Sequence, residues 1–311
     1  MRQRIFTEKS RLTQRLPLMQ NDVQKYLDDY ICLLDHLPVS VVKYHHLSDE
    51  QIGFNKHFLA KYGITGLNDF HQLVMLELMF QFPQRVTRLK LPESIHALIA
   101  GEFERILSLI ESGSNFVFDW ANDLFAKDMG ICRLHLIPAG TRLLEITGFS
   151  RRPFINDWRR LLPNFYFLLF KIKASWPLYE MHVHMSSLND FHPLGWKQCL
   201  VRIGQLLKLN PHIHGLHGTS WFYDPALKDV SPHLTYLRDI PCHNGAQTFF
   251  VKDDDAKSEA FTKSKSRKML FLDKRYIPKL FLLVWPRNKL IIFSDQNQHL
   301  LNSSHDPESG V

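Results

Sequence analysis

Two hydrophobic periodicities divide the chain. Before residue 113 the apolar positions recur at spacings of three and four. Val23, Tyr26, Leu27, Tyr30, Leu33 and Leu34 form such a stripe and predict a helix over 20–37, stopped by Pro38. The stretch 50–110 predicts helices in pieces. Gly63 and Gly66 are the expected breaks, Asn68 or Asp69 the cap of a helix through Leu73, Leu76 and Met79, and Pro83 and Pro92 further punctuation. The plainest helix spans 92–112, where Ile95, Leu98, Ile99, Phe103, Ile106, Leu107 and Ile110 share one face. Proline suits its first turn, and Ser112-Gly113-Ser114 closes it.

From Asn115 the period changes. Phe116, Phe118 and Trp120 alternate, then 131–137 and 142–147 predict a hairpin around Pro138-Ala139-Gly140. The run 165–172 is too short for periodicity to separate strand from helix. Residues 179–185 alternate as a strand; 194–209 predict a helix with Cys199, Leu200, Ile203, Leu206 and Leu207 inward, stopped at Asn210-Pro211; 212–221 predict a second strand holding Gly215 and Gly218. A strand-helix-strand unit of this length is what two parallel strands under a covering helix require. Further on, 247–251 predict a strand, 252–269 a solvated helix or exposed loop, and 279–285 with 290–293 a hairpin around 286–289. The expected fold is α/β (or α+β): a central mixed sheet flanked by helices, with a helical N-terminal third. The expected organisation is a helical subdomain at 1–112, a mixed-sheet domain at 113–295 and a loose polar tail at 296–311.

Composition adds bounds. Of 311 residues, 45% are hydrophobic and 23 are phenylalanine, which predicts an aromatic-rich core. The formal charge of +7 suits an anionic small-molecule cofactor or substrate more than nucleic acid. Cys32, Cys132, Cys199 and Cys242 form no Cys-x-x-Cys pair, the pattern of free thiols in a reducing cytoplasm. The basic start lacks the apolar core of a secretory signal, and no uncharged apolar run is long enough for a membrane span.

The candidate chemistry gathers between 176 and 231. His182 and His184 lie two apart, so a strand turns both to one face. Two imidazoles on one face can hold a metal, with His135, His212, His214 or His217 as a third ligand, or one can act as a general acid or base. With 17 histidines, such a pair also arises by chance, and ordinary hydrogen-bonded histidines are the competing reading. In the block Ser220-Trp221-Phe222-Tyr223-Asp224-Pro225, Trp221 and Phe222 read as core. Tyr223 is the candidate proton donor for a leaving group and Asp224 its candidate orienter, with a plain turn or cap as the competing role of Asp224. For phosphate groups, the candidates are Arg151 and Arg152 in one cluster and Lys263, Lys265 and Arg267 in another. Asp253-Asp254-Asp255 before the second cluster favours pairing within the chain instead. There is no Gly-x-Gly-x-x-Gly, phosphate-binding Gly-x-x-x-x-Gly-Lys-Ser/Thr, Gly-x-Ser-x-Gly or His-Glu-x-x-His run.

Glu180 to His184, the loop 186–193, the helix 194–209 and the block Ser220-Trp221-Phe222-Tyr223-Asp224-Pro225-Ala226-Leu227 come in an order that resembles bacterial acyltransferase-like proteins of the GNAT type. The resemblance spans about 60 residues, a fifth of the chain. It implies a mixed sheet flanked by helices and an acyl-CoA donor bound along a splayed strand. His182 or His184 would deprotonate an amine or hydroxyl acceptor, Tyr223 would protonate the leaving thiolate, and the basic residues would meet the cofactor phosphates. The family's pyrophosphate run, Arg/Gln-x-x-Gly-x-Gly/Ala, is absent; Arg202-Ile203-Gly204-Gln205 is too short and falls within a helix. The alternatives are a metal-dependent enzyme using His182 and His184, and a non-enzymatic protein that binds an anionic partner through its arginines and lysines.

Overall fold

A computed structural model describes residues 1–16, 23–35, 43–113, 116–148, 166, 167, 172, 177–262 and 264–302. The chain divides into two compact units, Met1–Pro138 and Ala139–Val311.

The described part of the first unit is built from α1 (Arg2–Gln14), α2 (Val23–Asp35), α3 (Asp49–Arg85), α4 (Glu93–Glu111) and α5 (Asp123–Cys132), followed by the short strand β1 (Leu136–Pro138). The start of α3 is held by a capping box: Ser48 Oγ accepts from the Gln51 amide at 3.2 Å, and Gln51 Oε1 accepts from the Ser48 amide at 2.7 Å. Of the two glycines expected to break this helix, only Gly63 does so, at φ 69°. Gly66 stays helical, and Asn68 and Asp69 lie inside the helical segment that resumes after the kink at Gly63 rather than at a cap. Tyr30, Phe58 and Phe70 are buried in a ring cluster with Phe54, with Phe58 and Phe70 at 4.5 Å and Tyr30 and Phe54 at 4.9 Å. The phenylalanine excess thus finds part of its use here.

The stretch 131–137 does not form the long strand that its alternation predicts. Residues up to Cys132 belong to α5, whose buried face includes Phe125, Met129 and Ile131. This helix packs against α3 and α4, and the first unit accordingly runs to Pro138 rather than ending at 112.

His71 sits in this unit, fully buried, with Nδ1 donating to the Phe118 carbonyl at 2.7 Å. Burial pushes its pKa down to about 4, from 6.5. Unfolding in mild acid therefore takes up a proton that the native state refuses. The stability held by the neutral ring is complete above about pH 6.5 and is lost as pH falls towards 4. The expected result is that His71→Gln flattens the dependence of unfolding free energy on pH between 4 and 6.5, measured by denaturant titration; an unchanged slope would refute it.

In the second unit the sheet runs β2-β3-β4-β6-β5. Its strands are β2 (Arg142–Thr147), β3 (Leu178–Val183), β4 (Gly215–Ser220), β5 (Gln247–Asp253) and β6 (Lys279–Pro286). The helices of this unit are α6 (Pro193–Leu209), α7 (Leu227–Val230), α8 (Tyr236–His243), α9 (Lys265–Leu272) and α10 (Arg287–Gln296). The mixed sheet flanked by helices agrees with the expectation from sequence. β3, α6 and β4 form the expected crossover, with β3 and β4 parallel.

The terminal hairpin is a correction. Residues 290–293 are not a strand: β6 ends at Pro286, whose extended backbone (ψ 139°) caps α10. Leu290, Phe293 and Ser294 are spaced to reach one helix face and are buried. Gly204 on α6 is what lets α10 approach, since a Cβ there would overlap Ser294. The segment after Asp295 is a second correction as far as it is described. It forms a 3₁₀ turn (Gln298–Leu301), and Gln198 Nε2 donates to the Leu300 carbonyl at 2.9 Å. No helix among the described residues is long and apolar enough to cross a membrane.

Candidate active site

Strand alternation decides which side chains meet. β2 and β3 are antiparallel over six pairs, with Leu143 opposite His182, Glu145 opposite Glu180 and Thr147 opposite Leu178. β4 is parallel to β3 and sets His217 beside Glu180. Glu145, Thr147, Glu180, His182 and His217 therefore share one face of the sheet. Farther along that face, Leu178, Phe249, Leu282 and Val284 cluster with Phe167 and Ile172 in an apolar core.

Within this polar set two hydrogen-bonded groups form. His182 Nε2 lies 2.9 Å from Glu145 Oε2, and Glu145 is fully buried. Acceptance by the carboxylate places the proton of a neutral His182 on Nε2 and its lone pair on Nδ1. Thr147 Oγ1 donates to Glu180 Oε2 at 3.1 Å and accepts from His217 Nε2 at 3.1 Å. Two carboxylates directly opposite across a ladder repel. Here the imidazole and the hydroxyl engage one carboxylate each. One ligand atom from each of Glu145, Glu180 and His182 lies within 4.8 Å of the others, so these three could hold a cation.

His184 follows β3 by one residue and is buried. The possible metal group among the described residues joins His182 to the two glutamates rather than to His184.

Tyr223 and Asp224 stand elsewhere. Gly218, Met181 and Arg142 point to the opposite face of the sheet from His182. The Tyr223 hydroxyl is 3.5 Å from where a Cβ on Gly218 would stand. Tyr223 is buried; desolvation raises its pKa, and the nearby Arg142 opposes that. Asp224 is also buried. Its Oδ1 accepts from the Ala226 amide at 2.9 Å, and its Oδ2 from the Lys279 amide at 3.1 Å and the Tyr276 hydroxyl at 3.4 Å. The structure engages Asp224 as a clamp between the turn after β4 and the start of β6, through Ala226, Tyr276 and Lys279 rather than through Tyr223.

The basic residues divide too. Arg151, Arg152 and Lys263 lie outside the described residues. Lys265 is exposed on the first turn of α9. Arg267 turns inward: Nε donates to the Ala260 carbonyl at 2.7 Å, Nη1 to Ser231 Oγ at 2.8 Å, and the guanidinium lies 4.7 Å from the Trp221 ring centre. It works inside the fold, next to the packing of Trp221 with Leu227, Ala260 and Phe261. Beside that cluster, at the end of β4, is a cavity of about 300 Å³ lined by Thr219, Ser220, Trp221, Lys257 and Glu259 among others.

Sequence reasoning singled out His182 without its partners. Glu145, Thr147 and Glu180 carry no local motif. The available signal was the Glu180-x-His182 spacing, which puts both side chains on one strand face. Glu145 lies 37 residues away and meets His182 only through the β2–β3 register.

No family model matches the chain, and no curated protein does. Among solved structures, a chain described as an acyltransferase in complex with decanoyl-CoA is 13% identical, with 85% of this chain and 76% of that one covered, at a TM-score of 0.45. A likeness of that size bears on neither chemistry nor detailed topology.

Proposed function

We propose that the chain is an acyltransferase that moves an acyl group from a CoA-type thioester to an amine or hydroxyl acceptor, with His182 as general base. The observation that carries the reading is the Glu145–His182 pair, a buried carboxylate holding an imidazole at 2.9 Å. Its position adds support. β3 is one partner of the parallel pair, and the ladder with β4 covers only Tyr179 with Leu216 and Glu180 with His217, although each strand is six residues long. A pair of strands joined at one end is where the GNAT resemblance places its thioester. The donor class rests on that resemblance.

In this reading His182 Nδ1 takes the proton from the acceptor as its nitrogen or oxygen attacks the thioester carbonyl. Glu145 holds the ring in the required tautomer and stabilises the imidazolium. The tetrahedral intermediate then collapses, the carbon–sulfur bond breaks, and the thiolate leaves. Tyr223, kept protonated by burial, is the donor assigned to that sulfur. Its place beside Gly218 puts it at the β3–β4 pair but on the other face from His182. The test is calorimetric titration of the purified chain with acetyl-CoA, octanoyl-CoA and free CoA. Saturable binding, followed by thiol release when an amine acceptor is added, is expected; no binding of any of the three would sink the reading.

A second reading rests on the proximity of Glu145, Glu180 and His182. Two carboxylates and an imidazole suit a divalent ion such as manganese, iron or zinc. Such an ion would polarise a carbonyl or activate water.

A further inference from the structure

On the face opposite His182 stand two arginines, Arg142 buried and Arg202 partly buried. Arg142 is 2% exposed. Its guanidinium carbon lies 4.8 Å from the ring centre of Phe191, 5.1 Å from Trp196 and 5.7 Å from Phe222. Nη1 makes one long bond, 3.4 Å, to the carbonyl of the neighbouring Thr141, and the group is near enough to Tyr223 to oppose the rise of its pKa. No ion pair among the described residues includes Arg142 or Arg202. Arg202, from α6, gives Nη1 to the Ala139 carbonyl at 3.3 Å, while its buried Nε has no acceptor. The buried Trp196 Nε1 and the Tyr236 hydroxyl also lack partners. Both guanidiniums are near enough to the Cys199 thiol to favour its charged form, although burial raises the thiol pKa overall.

Burying an arginine without a counter-charge carries a large desolvation cost. Each aromatic ring returns only part of it. Stacking uses the guanidinium faces, whereas an anion is bound at the edge through its N–H groups. The cluster thus combines cationic and neutral donors with apolar walls; the exposed Asp190 attracts Arg202 through charge, and no ion pair to a carboxylate closes on either guanidinium among the described residues.

We propose that the Arg142–Arg202 cluster is a binding site for a carboxylate on an apolar ligand, with the guanidiniums holding the oxygens and Phe191, Trp196 and Phe222 flanking the group. A carboxylate fits the planar fork of arginine in a bidentate way and brings one charge rather than two into an apolar setting. The site does not depend on the acyltransferase reading, since it uses none of the residues around His182.

The test titrates the full chain with sodium octanoate, sodium benzoate and inorganic phosphate at constant ionic strength, read by thermal shift and calorimetry. Octanoate or benzoate is expected to bind saturably, and Arg142→Gln and Arg202→Gln each to weaken that binding at least tenfold. Arg202 is only partly buried, so its variant keeps the test decisive if the Arg142 variant does not fold. Saturable binding of phosphate but of neither carboxylate would overturn the ligand class. Binding of none of the three, or carboxylate binding unchanged in the folded variants, would overturn the site.

Discussion

His182→Ala is expected to lower the rate of thioester turnover by about 10²–10⁴-fold, the usual contribution of a general base. The dissociation constant of acyl-CoA should move little, since the lost group acts on the acceptor proton and not on the donor. Glu145→Gln tests the same assembly one bond farther out. The amide can still touch His182 Nε2, at 2.9 Å in the native protein, but it no longer stabilises the imidazolium. An intermediate loss of turnover is therefore expected, as a positioning role requires. Glu180→Gln separates this reading from the metal. Glu180 accepts from Thr147 Oγ1, whereas the His182 Nε2 proton goes to Glu145, so neutralising Glu180 should leave base-catalysed turnover near the native level. If a cation is held by Glu145, Glu180 and His182, the same change should instead remove the metal found by elemental analysis and the activity together. Equal turnover in native protein and His182→Ala would refute the base assignment.

Asp224→Ala is expected to destabilise the second unit by about 2–4 kcal/mol, because the change strands one buried and two partly buried donors rather than deleting one exposed bond. The Ala226 and Lys279 amides would each lose an acceptor, at 2.9 and 3.1 Å, and the Tyr276 hydroxyl would lose its own. Tyr276 already has its pKa raised, first by burial and then by Asp224. Asp224→Asn should recover part of the loss, since an amide oxygen can still accept at one of the two positions. The measurement is the denaturant midpoint of the full chain. A midpoint unchanged in Asp224→Ala would return Asp224 to the role of a plain turn residue.

What the sequence reveals depends on the range of each interaction. The face of β3 is legible because alternation is local, and so is α6, whose inward residues repeat over seventeen positions. The composition of the site is less legible. Glu145 and Thr147 reach His182, Glu180 and His217 through strand pairing, which no short window contains. Local pattern also misleads where helix and strand compete over few residues. Leu290-Ile291-Ile292-Phe293 reads as a strand, yet it lies in α10 with Ile292 half-exposed and Leu290 and Phe293 buried against the fold. Arg267 reads as a surface cation from its lysine-rich surroundings. Trp221, Ser231 and Ala260, which draw it inward, lie outside its own helix.

The short β3–β4 ladder has a mechanical consequence. β3 is tied to β2 by six residue pairs, and β4 to β6 by six more, whereas the seam between them holds two. The backbone contact of His214 with Pro177, at 2.9 Å, reinforces the same end of the seam. The central sheet is therefore two stiff antiparallel ribbons stapled at one edge. Widening the far end would break none of these paired contacts, so the load of such a movement falls on side chains such as Met181 against Gly218, while the Thr147–His217 bond reinforces the stapled end.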